Sequence, residues 1–538
     1  MSLSFNTETQ DDFLFTCKPP GLNTHRPSPE ILGFVEILER ELKTPLYIAH
    51  RLDKETSGAL VFGKTPEAAR KLSDLFAQHK VQKIYYFITD KKISKNSFLQ
   101  ESYIVKQGGT FISKAAPADP SEYSGKAITQ FDKMREFHDL SLWTATPKTG
   151  KPHQIRLHAQ DAGMSILGDP EHGGSPFTQL GLQAHQIEFQ IDEKKYHYQA
   201  LLPYWTDLEK LNRNAPLETA LNLAFQRRNF LFQNSADSEN KDQNSPVNRE
   251  CLRLVHHEAF PDQTCLRLDQ FGPVLWTYWY KPEDPTEKEL SILEQFQKSL
   301  KKPLWIRKMN NRGRDPNSNT LWSLGNPPNS WTATENEINY HFSTDLGLSP
   351  GLFLDLRTNR QWVHENVTQK KVLNLFAYTG GFSLSAAIGK ASEVVTLDLS
   401  KTFLEWSQRN FQLNQLDPKN FEFWNQDVFI FLKGCKKRNR KFDLIICDPP
   451  SFSRSKNSIF TIEKDLESLL NLCWDNLEPQ GQILFSSNFE KWDKDFFRKK
   501  ISQFLPHSKD LSSELPYPGL DVGFPGEPAL TKSFLLKK

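Results

Sequence analysis

An eighteen-residue stretch with almost nothing to bury divides this chain, and it constrains the fold more than any other feature. Residues 233–250 read QNSADSENKDQNSPVNRE, a polar and charged composition typical of disordered linkers. A chain of 538 residues is also too long for one hydrophobic core. We therefore expect separate domains on either side of the linker, with residues 1–232 forming the first.

Two further regions follow the linker. Residues 251–345 contain short strand-like runs with turns at residues 260–262 and 271–273, and then the helical run EKELSILEQFQKSL, which together predict a small α+β module. Residues 346–538 alternate strand patterns (KVLNLF, EVVTLDL, FDLIICD, GQILFSS) with helix patterns. This alternation predicts a doubly wound Rossmann-like sheet, so the fold class is multidomain α+β and α/β.

Composition excludes several classes of protein. Charged residues make up 25% of the chain, and no apolar run is long enough to span a bilayer. The N-terminal MSLSFNTETQDDF carries acids where a secretory signal carries bases, so we expect a cytoplasmic protein.

The cysteines show neither a CxxC pair nor metal-ligand spacing, which predicts reduced thiols and no metal. A net charge of only +2 leaves any RNA binding to local basic patches.

The first region concentrates charges directly ahead of an apolar run, in HRLDKETSGALVFGK at residues 50–64. In the following KIYYFITD, period-2 alternation predicts a strand on which Tyr85 faces a cleft. The segment KPHQIRLHAQ, residues 151–160, alternates in the same way and predicts a second strand, with Arg156 on its polar face. An antiparallel strand with one face in water gives both patterns equally well.

Four motifs in this region, CKPPGL, HRLDKETSGALVFGK, KIYYF and GKPHQIRLHAQDAGMSILGD, resemble those of RluA-type pseudouridine synthases over residues 10–205. The resemblance implies a mixed or antiparallel sheet domain that needs neither a metal nor an organic cofactor. It implies that Asp53 attacks the target uridine and that Tyr85 contacts the base and assists proton removal. It also implies that Arg156 pairs with Asp53, and a carboxylate beside an apolar strand does need a cation to stay charged.

In the third region the strand KVLNLF ends in AYTGGFSLSAA, a glycine-containing turn that opens a helix, and Asp398 closes the next strand. This arrangement is typical of a nucleotide-type cofactor site, although a structural helix cap gives the same letters. The absence of GxGxxG favours S-adenosylmethionine and leaves a nicotinamide-dependent oxidoreductase as the second possibility. The motif IICDPPSFSRSK then puts Asp448 at a strand end and Phe452 where it can stack on a base.

Residues 335–490 resemble the RlmI/RlmK group of class I rRNA methyltransferases, through GLFLDLRTNR, VLNLFAYTGGFS, VVTLDLSKTFLEWSQRN, NQDV and DPPSFSRSK. The resemblance implies S-adenosylmethionine as cofactor, and 23S-type rRNA or a precursor ribosomal particle as partner. It implies that Asp398 holds the cofactor ribose and that Asp427 lies by the adenine. The other implied positions are Asp355, Arg357, Phe376, Ala377, Tyr378, Thr379, Gly380, Gly381 and Asp448 around the cofactor, and Asp448, Pro449, Pro450 and Phe452 on the target-base side.

The atom that is methylated can be argued from chemistry. Carbon 5 of cytosine becomes nucleophilic only after a thiolate adds at carbon 6. Cytosine-modifying members carry that cysteine after the strand that here reads GQILFSS, where this chain has Ser486, Ser487 and Asn488. Cys447 adjoins Asp448, but neighbouring strand residues point to opposite faces, which predicts a core position. We therefore favour guanine N7, whose lone pair needs no covalent help, with cytosine C5 as the alternative.

Two basic stretches could contact RNA phosphates. KKRNRK at residues 436–441 is typical of a solvated loop, whereas KKPLWIRKMNNRGR at residues 301–314 interleaves Trp305 and is the better candidate. The sequence thus predicts a bifunctional RNA-modifying enzyme. Two alternatives stay open, namely that one half only binds RNA and that tRNA is the substrate.

Overall fold

A computed structural model of the protein describes residues 7–28, 31–115, 125–177, 179–209, 211, 217–218, 221, 224, 250–256, 266–309, 321–345, 349–454, 459–516, 519, 521–522 and 531–538. The predicted linker, apart from Glu250, and the predicted turn at residues 260–262 lie outside these described residues. Among the described helices, none combines the length and the apolar character needed to cross a membrane.

The first domain is built on a long mixed sheet. Its strands are β1 Thr7–Gln10, β2 Phe13–Lys18, β3 Tyr47–Ile48, β4 Ser57–Gly63, β5 Gln82–Thr89, β6 Ser97–Gln107, β7 Thr110–Lys114, β8 Lys126–Phe137, β9 Leu140–Pro147, β10 Leu182–Ile191 and β11 Lys194–Gln199. They lie in the order β1-β2-β4-β10-β5-β9-β8-β6-β7, with β3 beside β4 and β11 beside β10. Between described strands, β4 and β10 form the parallel pair and the other pairs are antiparallel, which confirms the expected sheet type.

Strand β4 is buried along its whole length because helices cover both of its faces. The helices of this domain are α1 Phe34–Leu42, α2 Pro66–Ala77 and α3 Gln154–Asp161. Phe62 packs with Leu38 of α1 on one side of the strand. Val61 packs with Leu72 of α2 on the other side. The apolar run that follows the charged loop is therefore a central strand, as its sequence predicts.

Residues 154–161 form the helix α3, so the strand predicted from their alternating pattern is wrong. The pattern misleads because residues 154–159 are all buried, which leaves no amphipathic stripe to reveal the helical period. The polar side chains are satisfied inside the domain. His158, for example, hydrogen-bonds to Ser102 and Thr129, each at 2.9 Å.

The small module that follows is a sheet with one helix. Its strands are β12 Cys251–Val255, β13 Leu266–Phe271, β14 Val274–Trp279, β15 Leu304–Lys308 and β16 Leu321–Leu324, hydrogen-bonded in that order. The helix α4, Glu287–Leu300, starts with a capping box between Thr286 and Glu289 and connects the parallel pair β14 and β15. The predicted α+β character of this module is confirmed.

Residues that precede and follow the module in the chain pack against its core. Leu217, Leu221 and Ala224 are buried against α4 and the strands of the module, and Tyr204 contacts the same cluster. The hairpin of β17 Ser330–Glu335 and β18 Ile338–Ser343 packs between the module and the third domain. The predicted boundaries at residues 232, 250 and 345 stay predictions.

The third domain has a largely parallel sheet. Its strands are β19 Lys371–Leu375, β20 Glu393–Asp398, β21 Glu422–Asn425, β22 Phe442–Cys447, β23 Phe452–Arg454, β24 Ile459–Thr461, β25 Leu477–Ser487, β26 Lys509–Asp510 and β27 Lys532–Lys537. The sheet order is β21-β20-β19-β22-β25-β27-β26, and β23 pairs with β24 apart from it. The first five strands run parallel, whereas β27 is antiparallel to β25 and to β26.

Helices cover both faces of this sheet, as the alternating pattern predicts. They are α5 Arg357–Asn366, α6 Gly381–Ile388, α7 Lys401–Leu413, α8 Val428–Lys437, α9 Ile462–Asp475 and α10 Lys494–Phe504. Leu373 of β19 packs with Phe431 of α8 on one face. Val372 packs with Val363 of α5 on the other face. In such a sheet ligands bind beyond the carboxyl ends of the strands, which here carry the predicted site residues.

Candidate active sites

The loop that carries Asp53 is held in place by the N-terminal segment beside it. The Nζ of the buried Lys18 donates a hydrogen bond to the carbonyl oxygen of Lys54 at 2.9 Å. Thr24 Oγ1 donates to the carbonyl oxygen of Leu52, also at 2.9 Å. Because the backbone is fixed on both sides of Asp53, its carboxylate projects from a rigid loop at the start of β4.

Tyr85 lies close enough to Asp53 to feel its charge, and that its side chain faces a cleft stays a prediction. Burial and then the negative charge of Asp53 raise the pKa of the Tyr85 hydroxyl, which therefore stays neutral at physiological pH. The ring contacts apolar clusters on two sides, one containing Leu60 and the other Phe87. A neutral hydroxyl is thus held within reach of the charge of a carboxylate.

Arg156 extends from α3 to within electrostatic range of Asp53, but its direct partner is not Asp53. Its guanidinium donates to both carboxylate oxygens of Asp169, each at 2.7 Å, and to Glu171 Oε2 at 2.7 Å. Asp53 acts on Arg156 only through a weaker electrostatic attraction, the last of the effects that set its pKa. The predicted direct pairing with Asp53 is therefore wrong. Asp169 closes the ILGD motif, so the sequence already showed an acid there.

A group of potential metal ligands adjoins this ion pair. Ligand atoms of His153, Glu171 and His172 lie within 4.8 Å of one another, and the two imidazoles approach to 3.1 Å. Two histidines and a glutamate are a common zinc set. The Arg156 guanidinium already bonds Glu171 and lies 3.3 Å from His153 Nδ1. Two of the three potential ligands are therefore already in contact with a cation of the protein itself.

In the third domain, a strained turn joins β19 to α6. Phe376 and Tyr378 adopt positive φ values of 55° and 51°, and Gly380 has a φ of 79°. A Cβ on Gly380 would stand 1.9 Å from Ser407 Oγ, so only glycine fits there. The backbone N–H of Tyr378 donates to Asp398 Oδ2 at 2.8 Å. The turn and the acid at the end of β20 thus form one unit, and such strain concentrates at functional sites.

Asp448 follows β22 at the same edge of the sheet. Burial, and next the charge of Asp355, raise the pKa of Asp448 to about 7, while Arg360 acts in the opposite direction. Pro449 is buried and Pro450 exposed in the turn that follows. The side chain of Phe452 is 57% exposed on β23, where a base can stack on it.

Comparisons with known proteins assign the two large domains. Residues 12–161 match the family model of RNA pseudouridylate synthases, and residues 252–518 match that of S-adenosylmethionine-dependent methyltransferases. The chain joins a pseudouridylate synthase domain to a methyltransferase domain. Its fold is also similar to that of SMU.776, a methyltransferase crystallised with SAH, at 23% identity over 65% of this chain and 88% of that one, with a TM-score of 0.52.

Two relatives are named as ribosomal RNA methyltransferases and match about a third of this chain. The ribosomal RNA large subunit methyltransferase K of Neisseria meningitidis serogroup B is 39% identical over 170 residues, 31% of this chain and 48% of the relative. The ribosomal RNA large subunit methyltransferase K/L of Shewanella oneidensis is 36% identical over 189 residues, 35% of this chain and 26% of the relative. The chain thus spans about half of the first relative's length and a quarter of the second's.

The methyltransferase domain has residues that fit S-adenosylmethionine. The two Asp398 oxygens accept the N–H groups of Tyr378 and Ser400, each at 2.8 Å, and each keeps a lone pair for a ribose hydroxyl. The turn from Phe376 to Gly381 is joined to this carboxylate by the Tyr378 bond. Asp427 caps α8, with Oδ1 accepting the N–H of Phe429 at 3.0 Å. It therefore stands where β21 ends, at the edge of the sheet that carries Asp398.

Two of the residues predicted to shape the cofactor pocket have structural contacts. Arg357 pairs with Asp521 and donates to the carbonyl oxygen of Cys251 at 3.0 Å, so it ties the methyltransferase domain to β12. Its predicted place in the cofactor pocket stays a prediction. Asp355 accepts a hydrogen bond from Thr531, and its charge acts on Asp448.

Some of the basic side chains in the two stretches have partners within the protein. In KKRNRK, Lys436 pairs with Asp475 at 2.6 Å, and Arg440 pairs with Glu393 and Glu422, each at 2.5 Å. In the other stretch, Arg307 is buried and donates to the carbonyl oxygen of Thr344 at 3.1 Å. Residues 310–314 lie outside the described part of the chain. That KKPLWIRKMNNRGR contacts RNA therefore stays a prediction.

Proposed function

We propose that this protein is a bifunctional, cytoplasmic RNA-modifying enzyme that acts on large-subunit rRNA or a precursor ribosomal particle. It isomerises a uridine to pseudouridine in the synthase domain and methylates guanine at N7 in the methyltransferase domain. The proposal is supported by one observation: Asp53 lies near Tyr85 in the first domain, and Asp448 follows β22, which pairs with the strand that leads into the cofactor turn. The names of the two relatives favour rRNA over tRNA.

In the synthase domain Asp53 attacks the uridine, the glycosidic bond breaks, and the base rotates and reattaches through carbon. The neutral hydroxyl of Tyr85 contacts the base and assists removal of the proton from that carbon. The reaction requires the base to leave its stack, which costs stacking energy. Arg51 is exposed next to Asp53 and offers a guanidinium plane in its place.

In the methyltransferase domain S-adenosylmethionine supplies the methyl group. The target base stacks on the exposed Phe452, and Asp448 accepts a hydrogen bond from it. Cys447 is fully buried beside Cys473, and burial raises the pKa of its thiol. Ser486 is buried as well. The lack of an available thiolate at these positions favours guanine N7 over cytosine C5.

Nucleoside mass spectrometry, mapped to positions, tests both halves. The rRNA is taken from cells that lack the protein and from cells that carry Asp53→Asn or Asp448→Ala alone. We expect Asp53→Asn to erase one pseudouridine and Asp448→Ala to erase one 7-methylguanosine, each leaving the other mark in place. Unchanged rRNA in all strains would contradict the substrate assignment and direct the same measurement to tRNA.

A further inference from the structure

Among the described residues, one arginine of the small α+β module has no carboxylate partner. Arg267 lies on β13 directly opposite Tyr278 of β14. Its guanidinium lies over the Tyr278 ring, with Cζ 4.2 Å from the ring centroid. The Nε–H of Arg267 is buried, and among the described residues it has no hydrogen-bond partner. A buried guanidinium N–H without an acceptor is costly.

Three other arginines near this interface have carboxylate partners. Each is buried and pairs with a carboxylate: Arg253 with Asp269, Arg357 with Asp521, and Arg360 with Glu335. The protein thus neutralises the arginines that hold its domains together. Arg267 is only half-buried and is the exception among these four described side chains. Its stacking on Tyr278 fixes the plane of the guanidinium without neutralising its charge.

The position of Arg267 connects it to the methyltransferase site. Alternation along β13 places Arg267 on the same face as Phe271, which packs against the methyltransferase domain. Tyr278, under the guanidinium, hydrogen-bonds to Ser349. The carbonyl oxygen of Ser349 accepts the hydroxyl of Tyr378, in the cofactor turn, at 2.9 Å. Arg267 is thus two side chains away from the turn that fits the methyl donor.

We propose that Arg267 binds a phosphate of the RNA substrate at the border between the small module and the methyltransferase site. The inference rests on the proposed function, because it takes RNA as the substrate. A guanidinium held flat on an aromatic ring presents its N–H groups as a fork that matches two phosphate oxygens. The small module thereby acts as part of the RNA-binding surface and not only as a spacer between the two enzymes.

The test is methyl-transfer kinetics of the full chain on in vitro transcribed large-subunit rRNA at several salt concentrations. We expect Arg267→Gln to raise the KM for RNA about tenfold with little change in kcat, because a charge-assisted contact is lost. The slope of log KM against log salt should fall by about 0.7 to 0.9, the value for one phosphate. Arg267→Lys keeps the charge but not the fork, so it should lie between. Lys298→Gln, on the exposed side of α4, is the matched control and should behave as the wild type.

Two further readouts distinguish the ways in which the inference can fail. Binding of S-adenosylhomocysteine, measured by calorimetry, should be unchanged in Arg267→Gln. A large loss there would show that Arg267 serves the methyl donor and would overturn the inference. An unchanged KM and salt slope would overturn it as well, while the proposed function would stand. Wild-type protein that methylates no rRNA would instead refute the proposed function, and the inference with it.

Discussion

Replacing Asp448 with asparagine is expected to stabilise the methyltransferase domain while abolishing methyl transfer. The pKa of Asp448 is raised from its ordinary value of 3.8 to about 7, first by burial and then by the charge of Asp355. Between these two pH values the folded protein keeps a proton that the unfolded chain releases. The free energy of unfolding therefore falls as pH rises from about 4 to 7 and stays low above pH 7. Asparagine has nearly the same shape and carries no charge, so the free energy of unfolding of Asp448→Asn does not fall in this way as pH rises.

The magnitude follows from the width of that window. About three pH units at roughly 1.4 kcal/mol each give an upper limit of about 4 kcal/mol for the advantage of Asp448→Asn at pH 8. The side chain keeps some contact with solvent, so about 2 kcal/mol is a working value. For a domain of this size, that corresponds to a rise of roughly 4–8 °C in the midpoint of thermal unfolding. The advantage should be much smaller at pH 5.

The assay is thermal unfolding of the full chain at pH 5 and pH 8. S-adenosylhomocysteine identifies the transition of the methyltransferase domain, because a ligand of the folded state shifts that transition alone. Asp443→Asn is the matched control. Asp443 lies on the same strand, and its carboxylate accepts the N–H of Lys371 at 2.8 Å, a bond that asparagine can keep. An advantage of Asp448→Asn that is equal at both pH values, or a loss of stability at both, would refute the reasoning.

Three further predictions concern the two active sites. The initial rate of methyl transfer should rise with pH around a midpoint near 7, since the ionised Asp448 accepts the hydrogen bond of the base. Asp355→Asn should move this midpoint to lower pH. A rate that falls with pH would contradict this role of Asp448. Tyr85→Phe should slow pseudouridine formation about a hundredfold without altering methylation, as quantified by mass spectrometry of a transcript. Arg156→Met should destabilise the synthase domain by about 3–5 kcal/mol in urea unfolding, because Asp169 is left buried and charged. The double variant Arg156→Met with Asp169→Leu should recover most of this loss of stability.

The methyltransferase fold was accessible from the sequence because its determinants are local. Each parallel strand is a short apolar run, and the turn before α6 carries the glycine that its backbone conformation requires. Asp398 and Asp448 stand directly at strand ends, where the topology itself brings them to one edge. The placement of these residues therefore follows from order along the chain.

The contacts that the sequence did not reveal are long-range or non-periodic. α3 is buried on every side, so the period-2 appearance of its apolar residues has no structural meaning. Arg156 finds Asp169 on the next segment of the chain, in competition with Asp53, and only the three-dimensional arrangement decides between the two acids. The partners of Arg440 were hidden for the same reason, since the two acids that pair with it come from two other strands.

The two enzymes are connected by more than the polar linker. Tyr204, near the end of the synthase domain, contacts both the cluster around Trp205 and the core of the small module. Leu221, from a segment predicted to belong to the synthase domain, is buried in that same module core. A shared apolar contact restricts the relative motion of the two domains far more than a flexible chain does. If both sites act on one RNA, this contact limits which pairs of nucleotides they can reach, so the spacing of the two marks is a property of the fold and not of linker length.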